Sequence, residues 1–232
     1  ISTELGLPGI PAAAEDVMVA RNLSLSELTG ARLHLAHIST AGSVRMVREA
    51  KARGIKVTAE ACPHHFTLTE DVVRGYNTLA KMNPPLRTGE DVQAIKEGLR
   101  DGTIDVIATD HAPHATQEKQ QDFTEAPFGI VGLETAFSLT LALVDEGVLT
   151  LEQAVDKLAT APAVAFGLKK GTLAVGADAD VAIVDPNEQW QVDPSKFKSK
   201  SRNTPFAGWK VKGRVRTTIV SGRVVYDAAT ER

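Results

Sequence analysis

Histidine and aspartate side chains at the ends of predicted strands are the first candidates for chemistry. His37 closes the segment ARLHLAHIST, and Asp110 closes TIDVIATD and is followed by His111. A neutral imidazole and a carboxylate are suitable ligands for Zn²⁺, and a carboxylate beside a metal can also transfer protons. A single histidine at a strand end is more often a hydrogen-bonded structural residue. The occurrence of both types at matching ends of two strands favours a metal site at His37 and Asp110.

Two further segments carry groups that could bind a polar ring. In KMNPPLR, Asn83 precedes two prolines that restrict the backbone, so its amide could hydrogen-bond to a substrate; a plain Asn-Pro turn is the alternative. His114 precedes a polar loop over residues 115–126. This loop is either a lid over the site or a solvated connector. Beyond it, Gly129 would let a backbone N–H approach a carboxylate closely.

The segment CPHH, residues 62–65, resembles part of a zinc knuckle. Zinc-ribbon spacing needs a second Cys or His pair, and the chain has one cysteine. We therefore favour a supporting or packing role for this segment. Glu60 either braces His37 or is a paired structural carboxylate. His34 points to the face of its strand opposite His37, which predicts a structural role.

Helices and strands that alternate along the first half must position these side chains. The predicted strands are ARLHLAHIST, IKVTAEAC and TIDVIATD. The predicted helices cover residues 13–28 and 43–53 and the stretch between Thr88 and Gly102. This alternation is typical of right-handed βαβ units and a parallel sheet, whose carboxyl edge binds ligands. The sequence therefore predicts an α/β fold with its site at that edge.

The C-terminal part has a different texture. Residues 131–147 and 150–168 have helical patterns, and Thr150 with Gln153 forms a predicted capping box. Beyond Gly171, short β segments are separated by glycine-centred turns. We therefore predict two parts, a portion of a barrel over residues 1–168 and a small β-sandwich-like domain over residues 169–232.

Composition excludes several classes of protein. The formal net charge is −3, and Lys and Arg are scattered, which disfavours partners such as nucleic acid or an anionic membrane surface. No apolar run approaches the roughly 20 residues that a membrane span needs. The single cysteine, Cys62, cannot form an internal disulfide, so a cytoplasmic protein is expected. The chain opens with Ile1 and an irregular segment, which favours a piece of a longer protein.

Three segments in order, KMNPPLR, IATDHAPH and APFGIVGLETAF, resemble the long, type I bacterial dihydroorotases of the amidohydrolase superfamily. The similarity runs over essentially the whole chain and includes GTLAVGADADVAIVDP. It implies the C-terminal part of a distorted (β/α)₈ barrel with a binuclear zinc centre. The implied reaction is the reversible cyclisation of N-carbamoyl-L-aspartate to L-dihydroorotate, small molecules of pyrimidine biosynthesis. The implied assembly is a homo-oligomer or a complex with another pyrimidine-pathway enzyme.

The resemblance also implies roles for single residues. His37 resembles the family's metal-ligand histidine at the end of the sixth barrel strand. Asp110 resembles the aspartate at the end of the eighth strand, which binds a metal and transfers the proton to the amide nitrogen. The groups that resemble the substrate-holding positions are Asn83, His114 and the backbone of Phe128 and Gly129.

Several family motifs have no counterpart in the sequence. These are the H-x-H-x-R motif, the bridging carboxylate or carboxylated lysine, and the fifth-strand histidine. Three of eight barrel strands are represented, and two ligands remain where a catalytic zinc needs about three. We therefore predict that the activity belongs to a longer parent and that this chain alone is inactive. Two alternatives remain open: an allantoinase or dihydropyrimidinase, and a non-catalytic dihydroorotase-like scaffold subunit.

Overall fold

A computed structural model describes residues 1–230 of the chain. Its first sheet is parallel, in the order β1-β2-β3, and consists of β1 (Leu33–Leu35), β2 (Val57–Ala61) and β3 (Val106–Ile107). The α-helices are α1 (Ser2–Leu5), α2 (Ala12–Thr29), α3 (Ala41–Ala52), α4 (Pro63–Thr67), α5 (Gly89–Asp101), α6 (Thr116–Lys119), α7 (Ala136–Asp145), α8 (Leu151–Val155) and α9 (Ala161–Ala165). Helix α3 connects β1 to β2, and α5 precedes β3. The predicted α/β fold with parallel strands is confirmed.

Local sequence explains where the helices begin and end. The Thr88 side chain accepts a hydrogen bond from the Asp91 amide, and Asp91 reaches back to Thr88, which is the predicted capping box of α5. Thr150 and Gln153 form the same motif at α8. Gly102 ends α5 with a left-handed backbone, φ 81°, which glycine adopts without steric cost.

The strand lengths and two of the helices differ from the sequence prediction. The parallel strands are shorter than predicted because the chain turns away from the ladder before His37 and Asp110. Helix α7 begins at Ala136 rather than near residue 131, since Val131 donates its amide proton to the Asn203 carbonyl. The helix predicted over 150–168 is interrupted by a π-helical turn at Asp156–Thr160, directly before α9.

A second, antiparallel sheet follows in the order β4-β5-β6. Its strands are β4 (Val181–Gln191), β5 (Lys210–Val220) and β6 (Arg223–Asp227). Strand β5 packs against α7, and the main hydrophobic core extends from Val44 and Ile95 to Val192 and Phe206. The strands within residues 169–230 thus form one sheet, and the segment between β4 and β5, which contains Val192 and Phe206, joins the main core. The domain boundary at residue 168 stays a prediction.

Among residues 1–230, no helix is both long enough and apolar enough to cross a membrane.

Candidate metal and substrate site

His37 leaves β1 at the carboxyl edge of the parallel sheet. Its backbone is left-handed, φ 37°, and its amide donates to Glu60 Oε1 at 3.3 Å. The Nδ1 atom of its half-buried ring is enclosed and has no hydrogen-bond partner within the described chain. An enclosed ring nitrogen without a partner is costly unless a ligand or water satisfies it. This imidazole is therefore suited to binding a ligand.

Glu60 joins the two histidines of the first strand. Its Oε2 lies 2.9 Å from His34 Nε2, while its other oxygen accepts from the His37 amide. The remaining ring nitrogen of His34 pairs with Thr58 Oγ1 at 2.8 Å, and the ring lies against Phe166. His34 is thus structural, as its strand face predicts. Glu60 combines both sequence interpretations, because it is a paired carboxylate and also braces His37.

Asp110 follows β3 at the same edge of the sheet. Its backbone is also left-handed, φ 47°, and the residue is exposed. Within residues 1–230 its carboxylate accepts no hydrogen bond from a side chain or an amide, so both oxygens can bind a cation or take up a proton. The donor set fits a metal, since His37 offers an imidazole and Asp110 a carboxylate at neighbouring strand ends.

The end of β2 lies between these two strand ends and carries a buried cluster. The ligand atoms of its three members lie within 4.8 Å of one another. The members are Cys62, His64 and His65. Burial raises the pKa of the Cys62 thiol, and the charges of Asp110 and Glu60 raise it further. Burial also lowers the pKa of His64 well below its usual range and that of His65 to about 4. The cluster is therefore neutral as it stands.

One member of this cluster has a structural task. His65 Nε2 donates a hydrogen bond to the Pro84 carbonyl at 3.0 Å. His64 Nε2 and His65 Nδ1 have no partner within the described chain. The bond to Pro84 supports the segment that carries Asn83, in line with the supporting role that the sequence favours.

The predicted substrate residues lie on the loops that follow β2 and β3. Asn83 is exposed and precedes a cis peptide bond to Pro84. His114 Nε2 donates to the Phe128 carbonyl at 2.7 Å. The Gly129 amide donates to the Lys81 carbonyl at 2.9 Å, so this N–H is already paired. Within residues 1–230 the Asn83 side-chain amide therefore has no hydrogen-bond partner, whereas the Gly129 N–H has one.

Glycine is required at position 129 because the backbone there lies close to Ala112. Its φ is 108°, and an added Cβ would lie 2.4 Å from the Ala112 Cβ. A side chain at this position would push the segment away from the residues that follow Asp110.

The polar loop over residues 115–126 is anchored by two lysines. Lys119 Nζ donates to the carbonyls of Pro127 at 2.8 Å and Gly129 at 3.2 Å. Lys81 Nζ donates to the Thr124 carbonyl at 2.9 Å and to the Ala126 carbonyl at 2.5 Å. Sequence reasoning missed both lysines, although KMNPPLR contains Lys81, because lysine is ordinarily a solvated surface residue. The loop is therefore held in place rather than being a loose connector.

Burial changes the acidity of these lysines. Together with the positive charge of Lys81, it lowers the pKa of Lys119 to about 8. Burial also lowers the pKa of Lys81. Lys81 has aromatic partners besides its carbonyls, since its ammonium lies 4.7 Å from the Phe128 ring centre.

The model of the Amidohydrolase family matches residues 16–225. The chain belongs to the amidohydrolase family. Among solved amidohydrolase-type structures, the L-hydantoinase (dihydropyrimidinase) from Arthrobacter aurescens superposes with a TM-score of 0.88 at 34% identity. That match covers 94% of this chain and 49% of the other. The dihydropyrimidinase from Brevibacillus agri has a TM-score of 0.87 at 29% identity, with the same coverage. These matches confirm the predicted fold, a part of an amidohydrolase barrel.

Curated relatives of this amidohydrolase chain are named dihydroorotase. The protein from Syntrophus aciditrophicus is 58% identical over 98% of this chain and 53% of the relative. Those from Geobacter metallireducens and Pelotomaculum thermopropionicum are 60% and 61% identical, each over 97% of this chain and 53% of the relative. The chain thus spans about half the length of the curated relatives it matches. The similarity to dihydroorotases is confirmed.

Proposed function

We propose that a protein containing this chain is a dihydroorotase that interconverts N-carbamoyl-L-aspartate and L-dihydroorotate in pyrimidine biosynthesis. The observation that carries the proposal is the pairing of His37 and Asp110 at two strand ends of one sheet edge, each with a left-handed backbone. The names of relatives at 58–61% identity support the choice of substrate.

His37 and Asp110 would hold a zinc ion of a binuclear centre. Zinc, when bound, supplies a Lewis acid for the amide carbonyl and makes water a stronger nucleophile. Among the described residues, His37 and Asp110 would provide two of the ligands, whereas a catalytic zinc needs about three protein ligands. We therefore expect the 232-residue chain alone to be inactive.

Asp110 would carry the proton between water and the ring. Its uncovered carboxylate can accept a proton from the attacking water and donate it to the departing amide nitrogen. In the direction of cyclisation the same carboxylate accepts the proton from the nitrogen as the N–C bond forms, and it passes this proton to the departing hydroxide, which leaves as water. A positioned acid and base of this kind accounts for about 10²–10⁴ in rate.

Asn83, His114 and the backbone at Phe128 and Gly129 would hold the ring and its carboxylate. The Asn83 amide is exposed and can donate and accept hydrogen bonds at once. The N–H of Gly129 would have to leave the Lys81 carbonyl before it could bind a carboxylate. We therefore propose that Asn83 contributes more to substrate binding than the Gly129 N–H does.

A cyclic amidase of the hydantoinase or dihydropyrimidinase kind is the second candidate, because solved structures with those names superpose closely. Assays of the intact protein with dihydroorotate, dihydrouracil, hydantoin and allantoin separate the activities. Opening of dihydroorotate at a kcat/KM at least about 100-fold above the others supports the proposal. A preference for another ring would replace it. Metal-loaded protein inactive on all four rings would favour the non-catalytic scaffold subunit.

Cysteine content and net charge support the proposed location and partners. The one cysteine, Cys62, is buried and free, which suits a reducing cytoplasm. Small-molecule substrates are the proposed partners, together with a second copy or another pyrimidine-pathway enzyme. With a formal charge of −3, nucleic acid and membrane surfaces are not proposed as partners. We also propose the division into residues 1–168 and 169–232 as barrel part and appendage.

A further inference from the structure

Two irregular segments carry the proposed ligand and the proposed substrate contact. His37 lies in the turn between β1 and α3, and Asn83 lies in the segment between residues 81 and 88. Backbone hydrogen bonds tie each segment to other parts of the chain, but within residues 1–230 none joins one segment to the other, so side chains set the distance between them. The contacts that do so converge on Arg87.

Arg87 ends the KMNPPLR segment and is buried, with 9% of its side chain exposed. Its Nε donates to Ser39 Oγ at 3.1 Å, and its Nη1 donates to the Ile10 carbonyl at 2.6 Å. Its Nη2 lies 3.7 Å from Glu15 Oε2. One guanidinium thus reaches the start of α2, through Ile10 and Glu15, and the turn at Ser39, which suits the planar fork of arginine and not a lysine ammonium.

Glu15 receives the other half of this network. Its carboxylate accepts from the Ser39 amide at 2.9 Å, the Thr40 amide at 3.2 Å and Ser43 Oγ at 2.8 Å. The Ser39 hydroxyl also donates to Glu15 while it accepts from Arg87. The Arg87 and Glu15 pair therefore clamps Ser39 and Thr40, which follow His37 in the same turn.

The segment that contains Asn83 is anchored by further hydrogen bonds, so a displacement of Arg87 would also displace this segment. The Arg87 carbonyl accepts from the Glu70 amide at 2.8 Å, and the Pro84 carbonyl accepts from His65. Asn83 is therefore held between Arg87 on one side and the Lys81 anchor on the other.

We propose that Arg87 is a positioning residue, which through Ser39 and Glu15 holds the turn of His37 and the segment of Asn83 at a fixed separation. This inference rests on the proposed function for its catalytic consequence. Its structural half does not, because the coupling of the two segments can be measured without substrate. A misplacement of about 1 Å at a reacting group can cost about 100-fold in rate, so such a clamp affects turnover.

The test compares Arg87→Met, Arg87→Lys and Glu15→Gln in the intact protein, with any chain that precedes or follows these residues retained. Arg53→Met is the matched control, since Arg53 forms an exposed ion pair with Glu27. Residue-resolved amide hydrogen exchange reports each segment separately. The Ser39 and Thr40 amides report the His37 turn, and the Glu70 amide reports the Asn83 segment.

We expect exchange to accelerate across the clamp. Both Arg87 variants should speed exchange at Ser39 and Thr40 by about tenfold or more, and Glu15→Gln should do the same at Glu70. Arg53→Met should change neither. Faster exchange only at Glu70 in the Arg87 variants, or only at Ser39 and Thr40 in Glu15→Gln, would overturn the proposal. Arg87→Lys keeps the buried charge, so it provides the answer if Arg87→Met fails to fold.

Kinetics then tests the catalytic consequence. Arg87→Lys should lower kcat/KM for dihydroorotate by about 100-fold, with part of the loss in KM because Asn83 is displaced. A value within threefold of the parent, in protein that opens dihydroorotate, would overturn the positioning role. If the parent itself does not open dihydroorotate, the proposed function fails, and the exchange experiment still decides whether the clamp exists.

Discussion

His37 and Asp110 follow the two outer strands of the parallel sheet, and both have a left-handed backbone, with φ of 37° and 47°. Only Tyr76 and Ser221 share this feature among the non-glycine residues at positions 1–230. Such a conformation costs about 1–3 kcal/mol and persists where surrounding contacts hold it, often at functional sites. At His37 the holding contact is Glu60. The shared strain supports a common task for the two residues.

His37→Ala should remove one metal per chain and most of the turnover of the intact protein. The Nδ1 atom of His37 has no hydrogen-bond partner within residues 1–230, and no other described histidine lies at the end of β1, so no neighbouring imidazole can replace it. His64→Ala is the comparison and should keep the metal. Elemental analysis per chain decides the matter. Full occupancy in the His37 variant, or loss of metal in the His64 variant, would move the site to the buried cluster of residues 62–65.

Asp110→Asn should nearly abolish turnover while the fold survives. The variant loses a proton carrier, which alone costs about 10²–10⁴ in rate, and also weakens a metal ligand. The side chain is exposed and accepts no hydrogen bond within residues 1–230, so thermal unfolding should stay within a few degrees of the parent. Steady-state assays and a melting curve are sufficient. Turnover within tenfold of the parent would place the proton transfer on another group.

Asn83→Ala should weaken dihydroorotate use by about 2–4 kcal/mol in apparent transition-state binding, as for the loss of a specific hydrogen bond. His114→Ala should act similarly, because it also releases the Phe128 carbonyl. Metal content should not change in either variant. Asn187→Ala is the control, since Asn187 is an exposed residue of β4. Unchanged kcat/KM in both site variants would exclude this substrate site.

Glu60→Gln should weaken metal binding by about tenfold to 100-fold, in the range seen when the support of a ligand is removed. The neutral amide cannot accept from both the His34 ring and the His37 amide as the carboxylate does. Competition with a chromophoric chelator measures the affinity. Glu27→Gln, which alters an exposed ion pair, serves as the control. An affinity within twofold of the parent would show that His37 needs no such brace.

Lys119 should make stability rise with pH above neutrality. Its pKa is about 8 in the folded chain against 10.5 for an ordinary lysine, so between these values the unfolded chain binds more protons. The free energy of unfolding should rise by up to about 3 kcal/mol from pH 8 to pH 10.5. Below pH 8 the buried ammonium carries its full desolvation cost.

Lys119→Met is the reference for that measurement. Urea unfolding of both proteins at pH 7, 8, 9 and 10 gives the difference in free energy directly, and other titrating groups cancel. The parent should gain on the variant as pH rises. A difference that is independent of pH would mean that the Lys119 ammonium is not desolvated.

Much of the local structure is encoded by neighbouring residues. The spacing of Thr88 and Asp91 determines the start of α5, and Gly102 determines its end. The placement of His37 and Asp110 follows equally from sequence, because parallel strands bring their carboxyl ends to one edge. These features depend on contacts within a few residues or on a general property of the fold.

The contacts that support the candidate site could not be predicted in this way. Glu15 meets Ser39 across 24 positions, and Arg87 meets Ser39 across 48. Lys119 donates to the Pro127 and Gly129 carbonyls, and this contact requires the folded conformation of the loop. Hydrophobic periodicity and capping motifs depend on residues that are neighbours along the chain, so they do not predict contacts between residues that are far apart in sequence. Tertiary packing therefore decided which carbonyl or carboxylate binds each buried cation. A buried charge has lost its water, so it must be hydrogen-bonded by the protein groups that surround it.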